Sequence, residues 1–142
     1  MTAPTRPILY TPQILALAVE LGSYPYDADA PIKGAARSRT CGGTLSISFA
    51  DRRSRPGLQV TACAIGQAAA AIFARHFPRG GLESLKPSAD RIANWLADEA
   101  PLPDWPDLDL IASAREYPAR HGAILLPWNA AIDALCKDEA GR

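Results

Sequence analysis

Cys41 and Cys63 are the residues of this chain best suited to chemistry, because each sits where a β-strand pattern meets a turn. Cys41 opens Cys41-Gly42-Gly43, just ahead of the alternating segment Thr44-Leu45-Ser46-Ile47-Ser48-Phe49. Cys63 follows a second alternating segment and precedes an alanine-rich helical run. If those strands pair as neighbours, both thiols project from the same end of a small sheet. Thiolates gathered at one edge are what a soft metal ion or a transferred sulfur atom requires. Cys63 has the stronger case, since a cysteine leading into a helix faces unpaired backbone N–H groups and the positive end of the dipole. Both favour the thiolate. The competing reading is a small buried residue closing its strand, because free cysteine packs well in cores. Cys41 taken alone reads as an ordinary turn residue entering a strand, with glycines that let the backbone bend sharply or approach a ligand closely.

The remaining candidates are fewer. Cys136 falls late in a helical pattern beside Leu135 and is expected to be structural. His76, in Arg75-His76-Phe77, suits the last turn of a helix, where a cation complements the dipole. His121 follows Pro118-Ala119-Arg120 and is a possible metal ligand at the sheet edge, or else a solvent-facing or core histidine. The chain has no Cys-x-x-Cys, His-Glu-x-x-His, phosphate loop or Gly-x-Ser-x-Gly.

The elements that must position these residues follow from pattern. At 142 residues the chain suits one domain with a real core, with a loose arm at about 1–9 carrying Pro4 and Pro7. Thr11-Pro12 reads as an N-cap with proline at the first helical position, and Gly22 as the stop. Residues 37–40 are expected to form a short strand or extended approach. Residues 45–49 and 58–62 alternate as an antiparallel hairpin around a turn at 51–57, with Arg52, Arg53 and Arg55 at a solvated tip. Helices are expected at about 66–77, broken by residues 78–81, then at 86–100, from Leu108 to before Pro118, and at 127–137. Residues 101–106 form a rigid proline-rich connector. Helix, small antiparallel sheet, then a run of helices is an α+β order, not alternating βαβ units.

Composition narrows the function. Lysines and arginines number 15, as do aspartates and glutamates, a balance that argues against a nucleic-acid partner. No segment has the length and polarity of a membrane span, and the start lacks the order of a signal peptide. The expected location is cytoplasmic, where three cysteines are better read as ligands, reactive thiols or core residues than as disulfides.

Several motifs, in order, resemble the U-type iron–sulfur cluster assembly scaffolds, the IscU, SufU and NifU N-terminal family. Tyr10-Thr11-Pro12 resembles the family's opening Tyr-x-Pro. Residues 34–43, ending in Thr40-Cys41-Gly42-Gly43, resemble its approach to Cys-Gly-Asp. Ala62-Cys63-Ala64-Ile65-Gly66 resembles its Gly-Cys-Ala-Ile-Ser segment, and Tyr117-Pro118-Ala119-Arg120 with Leu126-Pro127-Trp128 resembles the close of the SufU branch. The resemblance runs from about residue 9 to 136. It implies a small antiparallel sheet packed against several helices, and a protein that is not an enzyme. It also implies a role in receiving iron, and sulfur from a cysteine desulfurase, and in holding a nascent cluster for recipient proteins.

The resemblance implies three cysteines and an aspartate as ligands. Cys41 and Cys63 match the first two cysteines, Gly43 stands at the aspartate position, and Ala123 stands at the third-cysteine position. Neither glycine nor alanine coordinates through its side chain, whereas a cluster or a zinc ion generally wants four donors. The expectation is therefore a scaffold-like protein binding iron or an iron–sulfur cluster (alternatively zinc) through Cys41 and Cys63, with His121 as a further candidate metal ligand. A homodimer pooling two thiolates from each copy would complete the set. The alternatives are an interaction module that keeps the fold and binds no cofactor, and a thiol enzyme using Cys63 with His121 as base.

Overall fold

The structure is a computed structural model that describes residues 10–40, 42–77 and 82–141. The arm expected at 1–9, Cys41 itself and the helix break at 78–81 lie outside the described residues.

Helix α1 (Pro12–Glu20) begins as its sequence dictates: the Thr11 hydroxyl accepts the Ile14 N–H at 3.2 Å, and Pro12 occupies the first turn. Ile14 and Leu17 are its buried residues. Three antiparallel strands follow in the order β1 (Ile32–Arg37), β2 (Thr44–Phe49), β3 (Gly57–Thr61). Ile47 pairs with Gly34 on one side and Leu58 on the other, and Leu45, Ile47 and Phe49 are all buried beneath the helices. Helix α2 (Ala64–Arg75) then runs back, its alanines from Ala68 onward buried and the helix packed against α1 and α4. Helices α3 (Leu82–Leu96) and α4 (His121–Ala140) complete the layer, with α4 crossing β1 and β2. The crossing is close because residue 34 is glycine: a Cβ there would run into the backbone of Ala130 and Ala134. At the free edge of β1, the Ala35 N–H donates to Asp133 Oδ2 at 2.9 Å. Phe73 stacks on Trp105 (5.7 Å between centroids) and meets Trp128 edge-on at 5.3 Å, closing the core on the α2–α4 side.

The structure corrects several boundaries. The first strand is residues 32–37, and residues 38–40 enter a tight loop instead of the expected strand. Alanine and glycine dominate β1, so its pairing comes from β2 and α4 and not from intrinsic propensity. After Glu20 the chain tightens into a 3₁₀ turn over Leu21–Ser23, so Gly22 is not a left-handed stop. Helix α3 starts and ends earlier than expected. Its end is a Schellman motif, with the Glu99 N–H on the Asn94 carbonyl, the Asp98 N–H on the Trp95 carbonyl, and Asp98 at φ 63°. The segment Leu108–Glu116 is 3₁₀ with a kink at Ile111, entered through Asp107 at φ 67°. Helix α4 starts six residues before Pro127, which sits inside it. Proline lacks an N–H, so the Ala123 carbonyl loses its usual helical donor there. Arg52 is no solvated tip residue: it pairs with Asp138 at 3.6 Å and Glu139 at 2.9 Å, fastening the hairpin to the end of α4.

One charged knot was not foreseen. Arg75 at the end of α2 donates to Glu20 at the end of α1 and to Asp107 at 2.9 Å. Asp107 also holds His76 Nε2 at 2.6 Å, and Tyr24 donates to Glu20 at 2.7 Å. Hydrogen bonding from Arg75 keeps the Glu20 carboxyl below the usual carboxylate range. His76 first, and Arg75 second, do the same for Asp107.

Candidate functional site

Strand register brings the two cysteine-bearing segments together. Thr44 pairs with Thr61 as the last rung of the β2–β3 ladder, so the residues just before β2 and just after β3 emerge side by side. A Cβ built on Gly43 would stand 3.2 Å from the Ala62 Cβ. The loop that contains position 41 is closed by Ser38 N–H on the Gly43 carbonyl (2.8 Å) and Gly42 N–H on the Ser38 carbonyl (3.1 Å). Gly42 sits at φ 71°, the left-handed conformation that glycine adopts without penalty. Buried Ser38 and exposed Thr40 share a hydroxyl contact at 3.2 Å, and Thr40 donates to the Ala119 carbonyl, also at 3.2 Å. The loop is thereby moored to the chain just before α4.

Cys63 is the N-cap of α2, in extended conformation (φ −64°, ψ 169°), with no hydrogen bond from its side chain to the helix N–H groups. It is half-buried and free of disulfide. The turn that carries it is held by Gln67, whose Nε2 donates to the Ala62 carbonyl at 2.9 Å while its own N–H donates to the Cys63 carbonyl at 2.9 Å. Sequence pattern gave no sign of Gln67, because a polar residue one turn into a helix is ordinary until its side chain is seen to fold back.

The corner beside Cys63 is filled by small and apolar groups. Ala123, in the first turn of α4, is fully buried against α2. A Cβ on Gly66 would be 3.3 Å from the Ala123 Cβ and 2.8 Å from that of Ala62. Leu126 completes the seal, with its Cδ1 3.4 Å from where a Gly43 Cβ would be. The positions matching the family's aspartate and third cysteine thus lie on the same corner as Cys63, and both are buried without a donor atom.

His121 is the first residue of α4, half-buried, with Nε2 2.7 Å from the Arg115 carbonyl. A carbonyl can only accept, so Nε2 carries the proton and Nδ1 is the nitrogen left for another partner. Cys136 lies half-buried on α4, and His76 caps α2 in the charged knot, as its helix-end position suggested. Among the described residues no three of His, Cys, Asp and Glu are grouped to hold a metal ion.

Two solved structures share this architecture. The N-terminal part of a nitrogen-fixing NifU-like protein from Brucella abortus matches with a TM-score of 0.80 and 25% identity, over 94% of this chain and 96% of its own. FiSufU of Fervidobacterium islandicum AW-1, assigned to the SUF system as an iron–sulfur cluster assembly scaffold, matches with a TM-score of 0.75 and 17% identity, over 89% and 96%. The chain has the U-type scaffold fold. No protein-family model matches it, and no curated protein does. The α+β class expected from the sequence, a three-stranded antiparallel sheet under helices, is the class observed. Among the described residues no helix of this U-type scaffold fold is long and apolar enough to cross a membrane.

Proposed function

We propose that this protein works in iron–sulfur cluster assembly, holding iron or a nascent cluster as cargo on the thiolates of Cys41 and Cys63. The observation that carries this reading is Cys63 at the N-cap of α2, directly after Ala62, which lies against Gly43 of the Cys41 loop, in a chain that follows a NifU-like structure over nearly its whole length. A helix N-terminus favours the thiolate, and the thiol is left free of capping duty. With Gly43 and Ala123 in place of donors, one chain offers two thiolates. A second copy supplies the other pair, or His121 contributes through Nδ1. Soft thiolates suit iron in a cluster and zinc alike, so zinc is the competing cargo. The proposed partners are those the resemblance implies, a cysteine desulfurase as sulfur source and cluster-recipient proteins. The proposed location is cytoplasmic.

The sealed corner favours a second reading. A scaffold fold whose donor positions are packed with methyl groups is suited to docking without cargo, as an interaction module. Anaerobic reconstitution of the full chain with ferrous iron and sulfide separates the two. Cargo binding predicts visible absorbance and bound iron that disappear in Cys41→Ser and Cys63→Ser. A colourless, iron-free product that the serine variants do not alter would sink it. The module reading instead predicts desulfurase binding that survives both substitutions.

A further inference from the structure

The groove between α3 and the connector at 100–106 holds two unlike charges that the described fold leaves unmatched. A cavity of about 250 Å³ is walled by Ser84, Ser88, Arg91 and Ile92 of α3, by Pro103, Trp105 and Pro106 of the connector, and by His76, whose Nε2 is already held by Asp107. A second cavity, of about 430 Å³, continues along Ala100, Pro101 and Leu102. Arg91, Pro103 and Asp104 line both, and so mark the junction. Neither Arg91 nor Asp104 has an ion-pair partner among the described residues, a state each shares with other surface charges such as Arg37, Arg55 and Asp29; what distinguishes the two is that they line one groove.

The Trp105 wall of the groove is fixed and apolar. The Trp105 indole N–H donates to the Ile72 carbonyl at 3.3 Å, and its ring is stacked on Phe73, so it presents a rigid apolar surface. The Ser88 hydroxyl donates to the Ser84 carbonyl at 2.9 Å, which leaves lone pairs toward an incoming donor. A ligand for this groove needs an anionic group for Arg91, a cationic group for Asp104 and an apolar body. A simple anion would face the Asp104 carboxylate, and a simple amine would face Arg91. The volume suits a small molecule at the lower end of ligand-sized sites.

We propose that the groove binds a free α-amino acid with an apolar side chain, its carboxylate on Arg91, its ammonium on Asp104 and its side chain against Trp105 and Ile92. Nothing in this rests on cargo binding at Cys63. The test is calorimetric titration of the full chain with L-leucine and L-phenylalanine, alongside 4-methylpentanoic acid and 3-methylbutylamine, which each keep one of leucine's two charges. Saturable binding of an amino acid is expected, with the acid and the amine weaker by about tenfold or more, since each forfeits one charge-assisted contact. Arg91→Gln and Asp104→Asn, both at exposed positions, should weaken the amino acid similarly, and Ser88→Leu should block it by filling the cavity. Thermal melts establish that each variant is folded. No saturation by either amino acid up to about 10 mM would overturn the proposal. So would an acid that binds as tightly as the amino acid, or folded Arg91 and Asp104 variants that bind like the parent.

Discussion

Gly66 on α2 and Ala62, the residue just before the helix cap, lie at a distance that leaves no room for a methyl group on the glycine. A Cβ there would meet the Ala123 Cβ at 3.3 Å and the Ala62 Cβ at 2.8 Å. Gly66→Ala should therefore destabilise the protein by about 1–3 kcal/mol, the usual cost of overpacking a closed interior. Urea unfolding measures this. An unchanged midpoint would mean that Ala62 and its turn shift easily to admit the methyl group.

Gln67 should matter to Cys63 through geometry alone. Removing its hydrogen bond to the Ala62 carbonyl in Gln67→Ala should cost about 1 kcal/mol. It should also loosen the strand-to-helix turn, raising the rate at which Cys63 is alkylated relative to Cys136, as read by mass spectrometry. Gln67→Glu, which cannot donate, should behave like the alanine variant.

Asp98 and Asp107 both adopt left-handed backbone, with opposite consequences for substitution. Asp98 ends α3, and its carboxylate is well exposed in its pair with Arg115. Such a pair contributes little, while relief of the left-handed conformation is worth up to about 1 kcal/mol. Asp98→Gly should thus be neutral or stabilising in a thermal melt. Asp107→Gly should lower the melting temperature, because Arg75 and His76 lose their shared acceptor.

Acid should undo the charged knot. Glu20 and Asp107 are both held below the ordinary carboxylate value, so the folded chain binds fewer protons than the unfolded chain in that range. Their contribution is complete above about pH 5, where both groups are ionised even in the unfolded chain, and is lost as pH falls through the lowered folded-state values. Melting temperatures followed from about pH 7 down to about pH 3 should drop most steeply at the acid end. Glu20→Gln combined with Asp107→Asn should start lower and show a shallower acid slope. A double variant with the parent's slope would remove these two carboxylates from the acid transition.

Much of the fold was legible because local chemistry agreed with the final structure. Thr11-Pro12 announces α1, and the alternation of Leu45, Ile47 and Phe49 announces the strand at the sheet's centre. The reading failed where tertiary context overrode local preference. Residues 32–37 look unlike a strand because Gly34 is there to admit α4. Pro127 looked like a helix start because its missing N–H is usually tolerated only in the first turn. The knot around Arg75 was invisible since its partners lie 55 and 32 residues away. At the candidate site, the cysteines could be chosen from their place at strand ends. That Gly43 and Ala123 are packed shut by Ala62, Gly66 and Leu126 required coordinates.

The hydrogen bond from Ala35 to Asp133 has a bearing on self-association. A three-stranded sheet exposes a row of backbone donors and acceptors along its outer strands, and such a row recruits other strands. On β1 one of those donors is already occupied by a side chain from α4, and Asp133 is itself steadied by Lys137 at 2.9 Å. A strand arriving along β1 would have to evict a carboxylate before it could pair. Truncating Asp133 would open this edge while leaving the hydrophobic core untouched, so its first symptom would be aggregation of a still-folded protein.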